Sequence, residues 1–220
     1  MRLNVRLKTI GLFCIGWSHP SALGLDIQFV RRIEYGGNSK ICIPASSFKG
    51  ALRSSASRIS ESYGFKSCGE IRPERIKERH EEIGRVCDVC ELFGYPGSAT
   101  PSLLIFSDFL PVNCVETLIT TRIRIDDRSM RAAEGALFSI EYVPSGCEFV
   151  GMIELINIPR EKIPLFLLSL AELRLGRMGR GSNPVDLRIE NVNELEEALK
   201  DTPWLNLINE LREWLWDELP

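Results

Sequence analysis

Read for hydropathy period alone, the chain gives strand, helix, strand, strand, helix, strand, and few small folds accommodate that order. Residues 2–8, RLNVRLK, alternate polar and apolar without a break, the pattern of a strand with one buried face. TIGLFCIGW continues as extended chain with the phase shifted. A helix is expected from Ser46, a natural N-cap, because Phe48, Leu52, Ala56, Ile59 and Tyr63 recur at helical spacing. SLLIFSDF at 102–109 reads as a short buried strand. ALFSIEYVPSGCEFVGMIELI reads as two strands joined in a hairpin by a Pro-Ser-Gly turn. PREKIPLFLLSLAELRL is a second amphipathic helix, GRMGRGSNP stops it, and VDLRIEN supplies the last strand.

With its insertions removed, this is the ferredoxin-like order shared with RNA-recognition domains. The expected class is therefore α+β, a ferredoxin-like (RRM-like) palm in a single domain over 1–220. Two extra pieces are inserted at 64–100 and 110–135, and one or two helices rich in Leu and Trp close the chain at 193–220. In that tail Trp204, Leu207, Leu211, Leu215 and Leu219 share a helical face, broadened by Trp214 and Trp216. It either packs on its own domain or meets a neighbouring subunit.

A net charge of −3 argues against a surface coated in positive charge, so any nucleic acid must follow a local basic track. The longest apolar runs, ALGL and PLFLLSLAEL, are too short to span a membrane, and no signal peptide or membrane partner is expected. Seven cysteines suit a reducing cytosol better than a disulfide scaffold, which makes a cytoplasmic location the expectation. Cys14, Cys42, Cys114 and Cys147 read as small core residues.

Three stretches carry chemistry. IPASSFKGALR (43–53) opens a helix with hydroxyls, places Lys49 and Arg53 on one face, and keeps that face low at Gly50. A helix N-terminus exposes unpaired N–H groups and the positive end of its dipole, so Ser46, Ser47, Lys49 and Arg53 are candidates to receive a phosphate; the plain alternative is a serine cap with two solvated cations. No glycine-rich run precedes Lys49, which excludes an ATP-binding P-loop. GRMGRG (176–181) follows a helix and leads into a strand, the reverse of a dinucleotide loop. It is either a flexible loop whose N–H groups, Arg177 and Arg180 wrap a phosphodiester chain, or a helix-ending turn with spare arginines. Third, Cys87 and Cys90 form a CxxC that, with Cys68 and His80 upstream, completes a Cys₃His set for a structural Zn²⁺. The charged segment between them, EIRPERIKERHEEIGR, cannot build a core of its own, so a metal staple makes sense. The alternative is two buried thiols beside an exposed histidine.

IPASSFKGALR, CDVCELFG (87–94), TRIRIDDRSMRAAEGALFSIEYVPSGCEF (121–149) and the glycine loop, in that order, resemble the RAMP superfamily of CRISPR systems, and most of all the backbone subunit of type III effector complexes. The resemblance runs from about Gly24 to about Gly181, departing at Ala45, where the family usually has glycine, and in a poorer glycine loop. It implies a subunit that stacks with copies of itself and other type III effector subunits along a CRISPR guide RNA. Ser46, Ser47, Lys49 and Arg53 would face guide phosphates, with Arg177 and Arg180 closing over them. It makes 64–100 a zinc-binding lid and 110–135 a β-hairpin thumb that pries into the duplex of guide and target RNA. There Arg122, Arg124, Arg128 and Arg131 would contact backbone, and Met130 would wedge between bases. It also implies cleavage of target RNA, dependent on Mg²⁺ or a similar divalent cation, through Asp26, which precedes the IPASSFKG motif in the matching loop; read alone, Asp26 is equally a turn-capping aspartate. His19 and His80 are the only imidazoles, and neither lies in a cleavage motif. A silent RNA-binding scaffold and a stand-alone guide-processing endoribonuclease are the alternatives.

Overall fold

A computed structural model describes residues 1–17, 24–33, 35–113, 116–181 and 183–215. His19, Cys114, Trp216 and Leu219 therefore lie outside the described residues, and the expectations placed on them go no further.

The chain forms β1 (Arg2–Thr9), β2 (Arg31–Ile33), β3 (Ser39–Ile41), α1 (Ala45–Ile59), α2 (Ile76–Ile83), α3 (Asp88–Phe93), β4 (Leu104–Phe106) and β5 (Leu110–Pro111). There follow β6 (Leu118–Asp126), β7 (Arg131–Tyr142), β8 (Glu148–Leu155), α4 (Ile163–Gly176), β9 (Val185–Ile189), α5 (Asn193–Leu199) and α6 (Leu205–Trp214). The architecture is mixed helix and sheet. The main sheet runs β4-β8-β1-β9, with β5 also on β8, and every pairing is antiparallel. No helix among the described residues is long and apolar enough to cross a membrane.

The alternation in residues 2–8 does what period-two patterning dictates. Leu3, Val5 and Leu7 are fully buried, while Arg2 and Arg6 point the other way. On that polar side Arg6 bonds Glu148 and Glu190, and Arg2 bonds Glu154. Those cations are thus already paired with acids across the strands. The buried side joins Phe48 and Leu52 of α1 and Phe166 and Leu170 of α4 in one core cluster. Phe48 and Phe109 stack with ring centroids 4.4 Å apart. The Phe109 ring fills the space over Gly151, where an added Cβ would come within 2.5 Å of it. Glycine at 151 is what lets that ring enter the core.

Three expectations fail here. The Pro-Ser-Gly turn does not close a hairpin, because β7 and β8 part company. β7 pairs with β6 in a separate two-stranded ribbon, Leu118↔Tyr142 through Asp126↔Arg131, while β8 enters the main sheet between β1 and β4. Residues 144–147 instead fold onto the end of β1, where Thr9 Oγ1 donates to the Pro144 carbonyl and accepts from Cys147 N–H. Alternation told us these were strands but not which partner each would take. Ser46 is likewise not the N-cap. Pro44 holds that position, the helix starts at Ala45, and the Ala45 N–H donates to Asp108 Oδ1 at 2.9 Å. A carboxylate supplied from across the fold replaces the local serine. Cys147 is buried as expected, but it is disulfide-bonded rather than an unpaired core thiol.

The root of the β6–β7 ribbon is held by a buried ion pair. The Glu141 side chain, 5% exposed, accepts both outer nitrogens of Arg31, the Thr117 hydroxyl and the Phe29 N–H. Burial alone would raise the Glu141 carboxyl; the bonds from Arg31, Thr117 and Phe29 outweigh it and hold its pKa below the ordinary value. A depressed folded value means stability that is present above the unfolded carboxyl range, about 4.3, and is lost as pH falls below it. Glu141→Gln is expected to cost about 3 kcal/mol by leaving Arg31 uncompensated. Chemical denaturation at pH 7 and at pH 3.5 checks both, since the gap between variant and wild type must narrow in acid.

Candidate functional site

The metal-ligand residues are the most compactly assembled. Residues 64–87 lie between α1 and α3 and carry Cys68 and then α2, whose last turn holds His80. The chain then turns at Gly84 into α3, for which Cys87 is the N-cap, its sulfur accepting the Cys90 N–H at 3.4 Å. The donor atoms of Cys68, His80, Cys87 and Cys90 all lie within 4.8 Å of one another. His80 is buried, not exposed, and neither ring nitrogen has a hydrogen-bond partner, while Tyr95 packs edge-on against the ring at 4.7 Å. An unpartnered buried imidazole is costly unless something else uses its lone pair. Tetrahedral thiolates at about 2.3 Å from Zn²⁺ stand about 3.8 Å apart. Cys68 Sγ and Cys90 Sγ are 3.7 Å apart. The Cys90 thiol, donating to Cys87, together with the Cys90 amide, draws the Cys87 thiol down to about 4 against the opposing pull of burial. The set could hold a metal ion such as zinc, with all four positions filled by protein.

Around this cluster the other elements close. Lys162, ahead of α4, bonds Asp88 and, at 2.6 Å, Glu91. Val89, Leu92 and Phe93 of α3 are buried in the main core. Only the charged stretch before α3 lacks apolar anchoring, with Ile76 its one buried hydrophobic residue among 69–85.

Along α1 the candidate residues separate. Ser46 is exposed, and with Lys49 it lines an apolar cleft of about 610 Å³ beside β4, floored by Leu103, Ile105 and Phe106. The Lys49 ammonium lies 6.0 Å from the Phe106 ring centre, and burial followed by the neighbouring Arg53 charge lowers its pKa. Ser47 is half-buried. Arg53, four residues on, turns away from this cleft and donates to the Gly94 carbonyl and, at 2.9 Å, to Cys90 Sγ.

Arg122 lies on the β6–β7 ribbon, Asp26 lies against it, and Arg180 lies on the segment beside it. Residues 26–29 lie against the ribbon through one isolated bridge, Ile27 to Ile140, and Asp26 Oδ2 accepts the Ser139 N–H at 2.7 Å. The glycine loop lies on the preceding segment, where Arg180 N–H donates to the Cys14 carbonyl at 2.8 Å. Gly179 takes φ +77°, and a Cβ there would stand 2.5 Å from the same carbonyl, so only glycine allows the approach. The Arg180 guanidinium reaches Gly16, close to Ile27. Burial pushes the Cys14 thiol up to about 11, with the Arg180 and Arg122 charges pulling the other way. Arg122 also lies over the Tyr142 ring at 5.4 Å. Arg177, beside this loop, is exposed at the end of α4.

Arg124, Arg128, Met130 and Arg131 are exposed at the far end of the ribbon. Met130 is 78% exposed at φ +53°. The turn is built by Asp126, whose Oδ1 accepts the Arg128 and Ser129 N–H groups. Ile119, Ile123, Ile125 and Leu137 are more than half exposed along the ribbon. Asp108 and Glu141 are the supporting residues that sequence reasoning missed. Each acts on a segment more than 60 residues away, which no local pattern records.

A family model described as the RAMP superfamily matches residues 15–183. That span takes in the segment before β2, α1, the cysteine cluster, the ribbon and the glycine loop. No curated protein matches the chain.

Proposed function

The chain belongs to the RAMP superfamily, and from that premise we propose that it is the guide-RNA-binding backbone subunit of a type III CRISPR ribonucleoprotein. Membership supports a CRISPR-associated RNA-binding function. The observation that carries the finer reading is that Asp26, Arg122 and the Arg180 loop all lie on or beside an exposed basic ribbon. The β4-β8-β1-β9 sheet order, with α1 and α4 in its core, supports a ferredoxin-like palm. On this reading 64–100 is the zinc-binding lid, and the β6–β7 ribbon is the thumb, longer on its second strand than 110–135. The acidic total is no obstacle, because the acids facing Arg2 and Arg6 on the polar side of the sheet are already neutralised there and the binding charge is local.

Ser46 and Lys49 would meet guide phosphates at the start of α1, and Arg177 and Arg180 would close over the strand. Arg122, Arg124, Arg128 and Arg131 would contact the duplex backbone, with Met130 as the wedge. The proposed chemistry is cleavage of target RNA, in which the ribose 2′-OH loses its proton to water and attacks the adjacent phosphate once a displaced base lets the two line up. A 2′,3′-cyclic phosphate closes as the bond to the 5′-oxygen breaks, and that oxygen leaves as a hydroxyl protonated by water. A divalent cation such as Mg²⁺ would neutralise the charge developing on that phosphate. A lone carboxylate fits such an ion only if RNA phosphates complete the shell, so Asp26 would share it with the substrate. Asp26 is held for that task by the Ser139 amide. The second reading, a silent scaffold, rests on the same geometry, with that bond as the whole of Asp26's role.

Lys49→Glu and Arg180→Glu test the RNA track. Each is expected to weaken binding of single-stranded RNA about tenfold at moderate salt and to lower the slope of log affinity against log salt by about 1. Slopes unchanged from wild type in filter binding would mean that neither residue meets phosphate.

A further inference from the structure

We propose that Arg53 is the outer-shell partner of the metal cluster, holding and neutralising the Cys90 thiolate, rather than a phosphate ligand. The inference rests on the zinc reading of the lid. The half-buried guanidinium forks, with one nitrogen donating to Cys90 Sγ at 2.9 Å and the other to the carbonyl of Gly94, the residue that caps α3. One side chain therefore grips α3 at a ligand atom and at its C-terminal end, and ties both to α1.

Three thiolates, a neutral imidazole and Zn²⁺ sum to one net negative charge, and three of the four ligands are buried. A buried charge of that kind requires a counterion with hydrogen-bonding capacity. The Arg53 fork supplies both. Of two other cations close to the lid helices, Lys162, ahead of α4, is committed to Asp88 and Glu91, and Arg79 is exposed and paired with Glu82. A donor aimed at a metal-bound sulfur fixes its orientation and lowers the energy of its lone pairs, and loss of such partners costs metal sites 10–100-fold in affinity. The i, i+4 spacing with Lys49 places both residues on one helical face; the long side chain then carries the Arg53 charge toward the lid while Lys49 stays at the cleft.

The experiment loads the full-length protein with Co²⁺, and separately with Zn²⁺ against a chromophoric chelator, for wild type, Arg53→Ala, Arg53→Lys and Arg58→Ala. Arg58 is a control in the same helix whose guanidinium bonds Ser55 and Glu172. The expected result is a 10–100-fold loss of affinity in Arg53→Ala and a red shift of the sulfur-to-cobalt charge-transfer band. Arg53→Lys, which keeps the charge but not the fork, should recover only part of either, and Arg58→Ala should match wild type. If Arg53→Ala fails to fold, the lysine variant carries the test through its band position. Wild-type affinity and spectra in both Arg53 variants, with RNA binding weakened instead, would overturn the proposal and return Arg53 to the phosphate track. Wild type that binds neither metal would overturn the zinc reading itself, and this proposal with it.

Discussion

Asp26→Asn in the assembled complex is expected to lower target-RNA cleavage at least about 100-fold while leaving the RNA bound. The substitution is chosen for what it preserves. Asp26 accepts the Ser139 N–H, and that bond stitches residues 26–29 to β7. Asparagine still offers an oxygen to that amide and removes only the charge. Asp26→Ala removes both, so a loss confined to the alanine variant would mark a structural bond and nothing more. Equal loss in both would put the carboxylate in the chemistry. Cutting at regular intervals and at wild-type rate in the asparagine variant would favour the silent scaffold. Gel analysis of end-labelled target, with guide occupancy measured on the same sample, separates these outcomes.

Removing the metal is the second large effect. Wild type is expected to carry about one zinc per chain, and Cys87→Ser to carry none. The serine keeps the capping acceptor for the Cys90 N–H while giving up the ligand, so a lost helix cap cannot account for the result. The segment 69–85 buries almost no apolar side chain besides Ile76, so it has little but the metal to order it. α3 differs, since Val89, Leu92 and Phe93 sit in the main core and pass any loosening of the lid to α1. Even if the whole domain draws on only about 3–5 kcal/mol of the metal's binding energy, melting should fall by about 10 °C at this chain length. Hydrogen exchange should rise first over α2. A melting point indifferent to chelator, with no zinc in the purified protein, would refute the staple.

What the sequence made legible follows from what is local. Period-two alternation located β1, β8 and β9, and helical spacing located α1, because side-chain direction is set by neighbours a few residues away. α4 is a helix where one was expected, but not an amphipathic one, since every residue from Ile163 to Leu170 is buried. The Cys₃His set was readable too, since a CxxC constrains its own geometry. Pairing was not. Residues 136–155 held two strands and a turn in a row, and nothing local disclosed that β7 would turn to β6 and β8 to β1. The same limit hid Asp108, which caps α1 from 63 residues away, and Glu141, which anchors Arg31 across 110. Arg53 shows a further limit. Helical spacing placed it beside Lys49, but a side chain that long can serve a site well away from its own Cα.

The most direct measurement is the sequence and length of the RNA that copurifies with this chain from its native host. The account predicts RNA of uniform length with a shared repeat-derived end, retained by wild type and depleted when Lys49 and Arg180 are both changed to glutamate. A preparation free of nucleic acid, or one carrying a random sample of cellular RNA that the double variant retains equally well, would contradict it.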